Sequence, residues 1–333
     1  MKRSSRLRGH ILQAHRWTGL GAGLAFVVVA GTGAGLAFRE QLEPRLSPGL
    51  LTAPACTSPQ SLDAIVASAR AANPGGGALK AVRLYRDPQA TVRVRFSDGQ
   101  WIYADPCSAR VTGRRALYGG PFGLLARLHI FEYTGAPDPI AGSLALLFAA
   151  ATLGGGFAAW RLATVRRGAH QRVAIYAAPI LLISAVTGMA QAFHWGQAAP
   201  VPAVAAEGNP LPLADLLARA QALVPQAQKV QIRFPATPQS PMVFEMVARD
   251  APHANALSYV QLDPSSGALL RHIPHSESTT AHKLSLLAAG VHYGWVGGVA
   301  AQLLLLGGAL SVPFLAWTGT AGWLRARRRR RQL

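Results

Sequence analysis

Four long uncharged stretches punctuate the chain, and the segments between them are patterned quite differently. Leu20 to Phe38, Ile140 to Trp160, Ile175 to Phe193 and Val296 to Trp323 hold no charged residue. Each is close to the roughly twenty residues that cross a ~30 Å hydrocarbon core. After the first run the periodicity shortens. Leu62, Ile65, Val66 and Ala69 recur at helical spacing, with Ser58-Pro59 as the expected cap and first-turn proline. Three strands are expected next, at Ala81 to Tyr85, Thr91 to Phe96 and Trp101 to Ala104. In the second of these, Val92, Val94 and Phe96 alternate with Arg93 and Arg95, the mark of a half-buried antiparallel strand. After the third run the order returns. Leu213 to Val224 reads as a helix, and Val230 to Phe234, Met242 to Val247 and Leu257 to Leu262 read as strands. Asp105-Pro106 closes the first set and Asp263-Pro264 the second.

The recurrence extends to single residues. His15 is followed by Thr32-Gly33 and Phe38, and His170 by Thr187-Gly188 and Phe193, at the same offsets. The spacing from His129 to Trp160 equals that from His292 to Trp323. The sequence therefore predicts a tandem duplication: an α-helical membrane protein with four transmembrane helices and two small α+β modules outside the membrane. The expected layout is a cytoplasmic basic segment (1–17), helix one (18–39), module one (40–120), an approach helix and helix two (121–160), and a cytoplasmic loop (161–172). Helix three (173–195), module two (196–278), an approach helix and helix four (279–324) and an Arg tail (325–333) complete it. A cleaved signal peptide competes for the first run, but its later copy cannot be one. Two units of equal orientation predict a pseudo-twofold axis along the membrane normal.

Charge changes the picture in one respect. The 333 residues carry a net +19, with only 14% charged and 50% hydrophobic. Lys2, Arg3, Arg6, Arg8 and Arg16 precede the first run. Arg161, Arg166, Arg167 and Arg172 separate the second from the third, and Arg325 and Arg327 to Arg331 follow the fourth. Basic residues gathered in alternate loops are the positive-inside pattern, with both termini cytoplasmic in a bacterial inner membrane. The remaining charge is nearly balanced, so nucleic acid is not the expected partner. The Arg tail meets anionic headgroups instead, at about 1 kcal/mol per residue. Cys56 and Cys107 fall in the same outer segment, where a disulfide suits an oxidising compartment.

The candidate chemistry is histidine chemistry. Topology puts His15 and His170 at the cytoplasmic ends of helices one and three, and His129 and His292 near the outer starts of helices two and four. A twofold axis then supplies one pair of imidazoles at each face. Paired neutral imidazoles on facing helices hold b-type haem without covalent attachment, so two bis-His haems are expected. His194 and His282, on the outer side, are possible additional ligands. A proton relay predicts carboxylates within the runs, and the runs contain none. The sequence shows no flavin or nucleotide motif, so electrons come from a quinol or a separate cytoplasmic reductase. Lys80, Arg83, Arg86, Arg93, Arg95 and His194 are candidates for holding an anionic ligand.

Several of these motifs carry a resemblance: His15-Arg16-Trp17-Thr18-Gly19, Thr32-Gly33, Tyr103-Ala104-Asp105-Pro106, Leu128-His129, Thr187-Gly188, Val291-His292-Tyr293-Gly294 and Trp317-Thr318-Gly319. With them the chain resembles the PepSY-associated transmembrane family, which includes inner-membrane reductases of ferric siderophores. The resemblance implies PepSY-like outer modules and, as in reductase members, b-type haem on the membrane histidines. Two departures stand out. Ser108-Ala109 replaces a turn where glycine often follows, as Gly267 does in the second half, and the chain lacks the fused flavoprotein domain of some relatives. The expected function is electron transfer across the membrane to a periplasmic ferric siderophore or other ferric chelate. The alternative is a non-enzymatic module that binds or regulates a periplasmic partner such as a peptidase.

Overall fold

A computed structural model describes residues 2–160, 168–196, 209–235, 237 and 240–332. Arg161, Arg166 and Arg167 of the expected inner loop, the Trp160 side chain and residues 197–208 of the expected second module lie outside the described residues. In chain order the helices and strands are α1 (Lys2–Leu36), α2 (Arg39–Leu46), α3 (Pro48–Leu51), α4 (Leu62–Ala71), β1 (Leu79–Tyr85), β2 (Val92–Phe96), β3 (Gln100–Ala104) and β4 (Val111–Ala116). Then follow α5 (Gly120–His129), α6 (Pro137–Trp160), α7 (Ala169–Ala192), α8 (Leu213–Leu223), β5 (Lys229–Arg233), β6 (Met242–Val247), β7 (Leu257–Leu262), β8 (Leu269–Ile273), α9 (Thr280–His292) and α10 (Gly298–Arg331). These elements fall into two compact units, one of helices and one built on a sheet.

In the helical unit, α1, α6, α7 and α10 each contain a stretch long and apolar enough to cross a membrane. Helices α1 and α7 each pack on both α6 and α10, closing a ring of four with α1 and α7 on opposite sides. Phe26, Ala177, Leu181 and Val312 are buried together in it, and the Phe26 ring meets Phe148 edge-on at 4.9 Å. Two boundaries differ from those expected. Helix α1 begins at Lys2 rather than near residue 18, because Arg, Leu, Gln and Ala are good helix formers and no proline interrupts them. The Arg tail is the end of α10, where cations suit the helix C-terminus. Pro313 does not interrupt α10, nor Pro179 α7. In apolar surroundings, neighbouring helices and local adjustments accommodate the backbone groups a proline frees.

The sheet unit contains a single eight-stranded antiparallel sheet in the order β4-β3-β2-β1-β5-β6-β7-β8. Each half supplies four strands, not three. The additional β4 and β8 are edge strands whose polar or exposed residues (Val-Thr-Gly-Arg-Arg-Ala and Leu-Leu-Arg-His-Ile) give no clean alternation. The halves join where β1 pairs antiparallel with β5, in a register centred on Arg83 and Gln231. Val82 lies opposite Ile232, and Leu84 opposite Val230.

One face of the sheet carries Val82, Val94, Phe96, Ile102, Ile232, Phe244, Met246 and Val260. These are buried with Leu62, Ile65 and Ala69 of α4 and Leu213, Leu216 and Ala220 of α8. Each large side chain so buried contributes about 1.5–3 kcal/mol. The cap of α4 is Ser61, which accepts the Ala64 N–H at 3.2 Å, not Ser58. The disulfide Cys56–Cys107, with Cα atoms 5.5 Å apart, ties the segment before α4 to the turn after β3.

A carboxylate links the two helices. Asp63 of α4 accepts the Leu213 and Ala214 N–H groups at 2.8 and 3.0 Å, satisfying free donors at the start of α8. Asp63→Ala should cost about 1–2 kcal/mol. Hydrogen exchange at the Leu213 and Ala214 amides reads this directly. Exchange as slow as in the wild type would contradict the link.

The two Asp-Pro turns share a left-handed position, filled by Ala109 (φ 55°) and Gly267 (φ 68°). The alanine costs about 1–2 kcal/mol there. Its methyl is buried, which offsets about 0.8 kcal/mol. At Gly267 a Cβ would come within 2.9 Å of the Leu211 and Arg219 side chains, which would have to shift to admit it.

Candidate functional site: two facing imidazole pairs

Four histidines of the helical unit form two pairs. His15 of α1 faces His170 of α7 with ring centroids 6.4 Å apart and planes at 74°. His129, at the end of α5, faces His292, at the end of α9, at 6.1 Å and 53°. His129 reaches α1 beside Thr32, and His292 reaches α7 beside Thr187. Seventeen residues separate His15 from Thr32 and His170 from Thr187, so at 1.5 Å per residue the pairs lie about 25 Å apart along the helices.

Hydrogen bonds fix the tautomer of each ring. The Nδ1 of His15 bonds to the Ala151 carbonyl at 2.8 Å. His129 Nδ1 bonds to the Val29 carbonyl at 3.0 Å and His292 Nδ1 to the Ser184 carbonyl at 3.1 Å. A carbonyl can only accept, so these nitrogens carry the proton. For His170 the partner is the Thr318 hydroxyl at 2.9 Å, which itself donates to the Phe314 carbonyl at 2.8 Å. It therefore accepts from Nδ1. In neutral rings Nε2 is then a bare lone pair, and no hydrogen bond engages it among the described residues. A metal-binding imidazole needs this arrangement: one nitrogen anchored as a donor, the other free to ligate.

The recurring Thr-Gly dipeptides now have a physical role. The Thr32 hydroxyl lies 3.2 Å from His129 Nδ1, and a Cβ on Gly33 would sit 3.0 Å from the same ring. Thr187 lies 3.1 Å from His292 Nδ1, and a Cβ on Gly188 would sit 3.0 Å from that ring. Thr318-Gly319 treats His170 likewise, with 3.4 Å at the glycine. The threonine orients the imidazole and the glycine leaves room for it. Among the described residues no threonine hydroxyl meets His15. It rests on a backbone carbonyl and on Gly155, where a Cβ would come within 2.9 Å of the ring.

Geometry and donor set both suit axial ligation. A metal held between two imidazole nitrogens at about 2 Å each puts the ring centres about 6 Å apart. Among the described residues no group of three or more His, Cys, Asp or Glu could hold a bare ion. Two opposed nitrogens are the protein's share when a macrocycle fills the other positions, as in bis-His haem.

The other expected site residues lie elsewhere. His194 Nε2 pairs with Asp138 at 3.0 Å. His282 has both nitrogens engaged, Nδ1 with the Gly196 carbonyl at 3.2 Å and Nε2 with the Tyr259 hydroxyl at 3.1 Å. Burial, with Glu245 nearby, pushes the Tyr259 phenol up to about 12, so it remains a donor to Nε2. The structure brings neither histidine to a pair. Arg83, Arg93 and Arg95 share the polar face of the sheet, whereas Lys80 is exposed and Arg86 donates to the Gln226 carbonyl at 3.3 Å. Lys229 joins that face without having been singled out. Its alternation with Gln231 and Arg233 along β5 was the available signal.

Four long apolar helices in a ring, with paired imidazoles between them and a sheet unit joined to them, define a multi-pass membrane protein. Residues 12–326 match the family described as the PepSY-associated TM region, and the chain belongs to that family. No curated protein matches the chain.

Proposed function

We propose that this protein is a haem b-containing inner-membrane oxidoreductase that carries electrons across the bilayer to a periplasmic ferric chelate, most specifically a ferric siderophore. The observation that supports it best is the pair of facing imidazole couples, each ring with Nδ1 anchored and Nε2 free. The repeated element order supports descent from a tandem duplication. The basic start of α1 and end of α10 favour cytoplasmic termini, which makes the sheet unit periplasmic, where the disulfide is stable.

His15 and His170 would hold one haem and His129 and His292 the other. Bound haem iron supplies one-electron transfer between its ferric and ferrous states. The chain's own groups fix the four rings, keep Nε2 unprotonated and surround them with apolar helix. A quinol or cytoplasmic reductase gives the electron, and the chelated Fe(III) takes it to become Fe(II). Hard oxygen donors hold Fe(II) less tightly, so the chelator releases it. The alternative of a partner-binding module gives four oriented lone pairs no purpose.

An absorption spectrum of protein purified under haem-replete expression tests the reading. The expected result is a dithionite-reduced low-spin b-type band, reoxidised by a ferric siderophore. A colourless preparation would overturn it.

A further inference from the structure

The polar face of the sheet concentrates positive charge at Arg83, Arg93, Arg95 and Lys229, and among the described residues none of the four has an ion-pair partner. Residues paired directly across antiparallel strands share a face. Arg83 pairs with Arg93 on one side and Gln231 on the other. Arg93 pairs with Tyr103, Arg95 with Trp101, and Tyr85 with Lys229. The opposite face carries the buried Val82, Val94 and Ile102. Like charges set directly opposite each other, as Arg83 and Arg93 are, destabilise a sheet unless something neutralises them.

Two of the nearby carboxylates are already bound by other groups, and Glu40 acts on Lys229 only beyond ion-pair distance. Glu43 is bound by Arg39 at 2.8 Å and Arg115 at 2.7 Å. Glu245 is bound by Arg233 and Gln231. Among the described residues no carboxylate lies within ion-pair distance of Arg83, Arg93, Arg95 or Lys229. Arg83 finds only the neutral Gln231 amide oxygen.

Aromatic rings lie beside these guanidinium groups. The Arg93 guanidinium lies 4.7 Å from the Tyr85 ring centre and 5.9 Å from that of Tyr103. Those of Arg83 and Arg95 lie 5.3 and 5.9 Å from Trp101. The Nε atoms of Arg93 and Arg95 are buried, with no acceptor among the described residues. Each such donor costs about 1–3 kcal/mol. Burial and then Arg83 hold the Lys229 ammonium below its ordinary range, with only Tyr85 and Glu40 opposing.

We propose that this face, centred on Arg93 and Arg95 with Arg83 and Lys229 beside them, binds a small polyanion through its carboxylate or phenolate oxygens. A guanidinium fork presents two parallel donors, which fit a planar oxyanion better than a mobile ammonium does. The same chemistry describes the hard-oxygen chelators that hold Fe(III). The inference rests on the proposed function only in assigning iron to the ligand, because anion binding needs no haem.

Isothermal titration of the full chain in detergent with citrate as the probe tests it. Wild-type protein should bind citrate, and added salt should weaken binding. Arg93→Gln and Arg95→Gln should each weaken it about tenfold or more. Arg93→Lys, which keeps the charge, should fall between. Arg70→Gln should change it less than about twofold, since Arg70 belongs to α4, which covers the opposite face of the sheet. Retained disulfide and far-ultraviolet circular dichroism show that each variant is folded.

No citrate binding to the wild type overturns the proposal, as does equal binding by Arg93→Gln and Arg95→Gln. Binding only to phosphatidylglycerol vesicles, lost in the same variants, also overturns it and makes the face a lipid headgroup contact. The two proposals fail separately. Citrate binding by a colourless protein keeps this site and removes the electron path, while a haem-loaded protein indifferent to citrate does the reverse.

Discussion

His292→Ala is expected to lower bound haem from about two per chain to about one, with the surviving centre still low-spin. The removed ring faces His129, 6.1 Å away, while His15 and His170 form their own couple about 25 Å distant along the helices. Among the described residues no hydrogen bond links the two couples, so losing one leaves the other its ligands and anchors. His15→Ala should remove the second centre instead, and the double variant should carry none. Haem-to-protein ratios on the purified variants, read beside the reduced spectrum, separate these outcomes. The substitution truncates a ring beside Gly188 and should leave the sheet unit unaffected, so an intact disulfide serves as the control for folding. A different result would be decisive. If either single variant loses all its haem, the two couples are not independent centres. If neither loses any, these histidines are not the ligands.

The parts of this arrangement legible in the sequence are the local ones. An uncharged run of twenty residues is visible without knowing its neighbours, so the four crossings could be read directly. Helical and alternating periodicities gave α4, α8 and six of the eight strands. The histidines stood out through their matched offsets. What stayed hidden depends on distant partners. Thr32 and Thr187 could be recognised as repeated, but not as hydroxyls for His129 and His292, which lie 97 and 105 residues away. Thr318 and His170 are 148 residues apart. The joining of β1 to β5 leaves no trace in either strand, since a central and an edge strand with one buried face alternate alike. Strands β4 and β8 were lost because their outer positions are Arg, Thr or exposed Leu. Ser61 was passed over as a cap because Ser58-Pro59 offers the stronger local motif, and only the Ala64 N–H shows which serine is used.

Thr318→Val should weaken the His15–His170 centre more than Thr187→Val weakens the His129–His292 centre. Both substitutions keep the branched shape and remove one hydroxyl. The anchors left behind differ. His292 keeps the Ser184 carbonyl at 3.1 Å, so its Nδ1 proton still has an acceptor and the ring holds its tautomer. Among the described residues, the Nδ1 of His170 makes one hydrogen bond within normal distance and angle, to the Thr318 hydroxyl at 2.9 Å. Once that hydroxyl is gone, the ring can rotate, or can move its proton to Nε2 and lose the lone pair that ligates. Removing an outer partner of a metal ligand typically costs 10–100-fold in affinity. That range is expected for Thr318→Val, with less than about tenfold for Thr187→Val because one anchor remains. Haem titration of the apo-protein, following each centre in the background of His292→Ala or His15→Ala, gives the two affinities separately. Equal losses would mean that the hydroxyls matter only for packing. A larger loss at Thr187 would mean that the Ser184 carbonyl does not hold the ring, and the tautomer argument for that couple would fail with it.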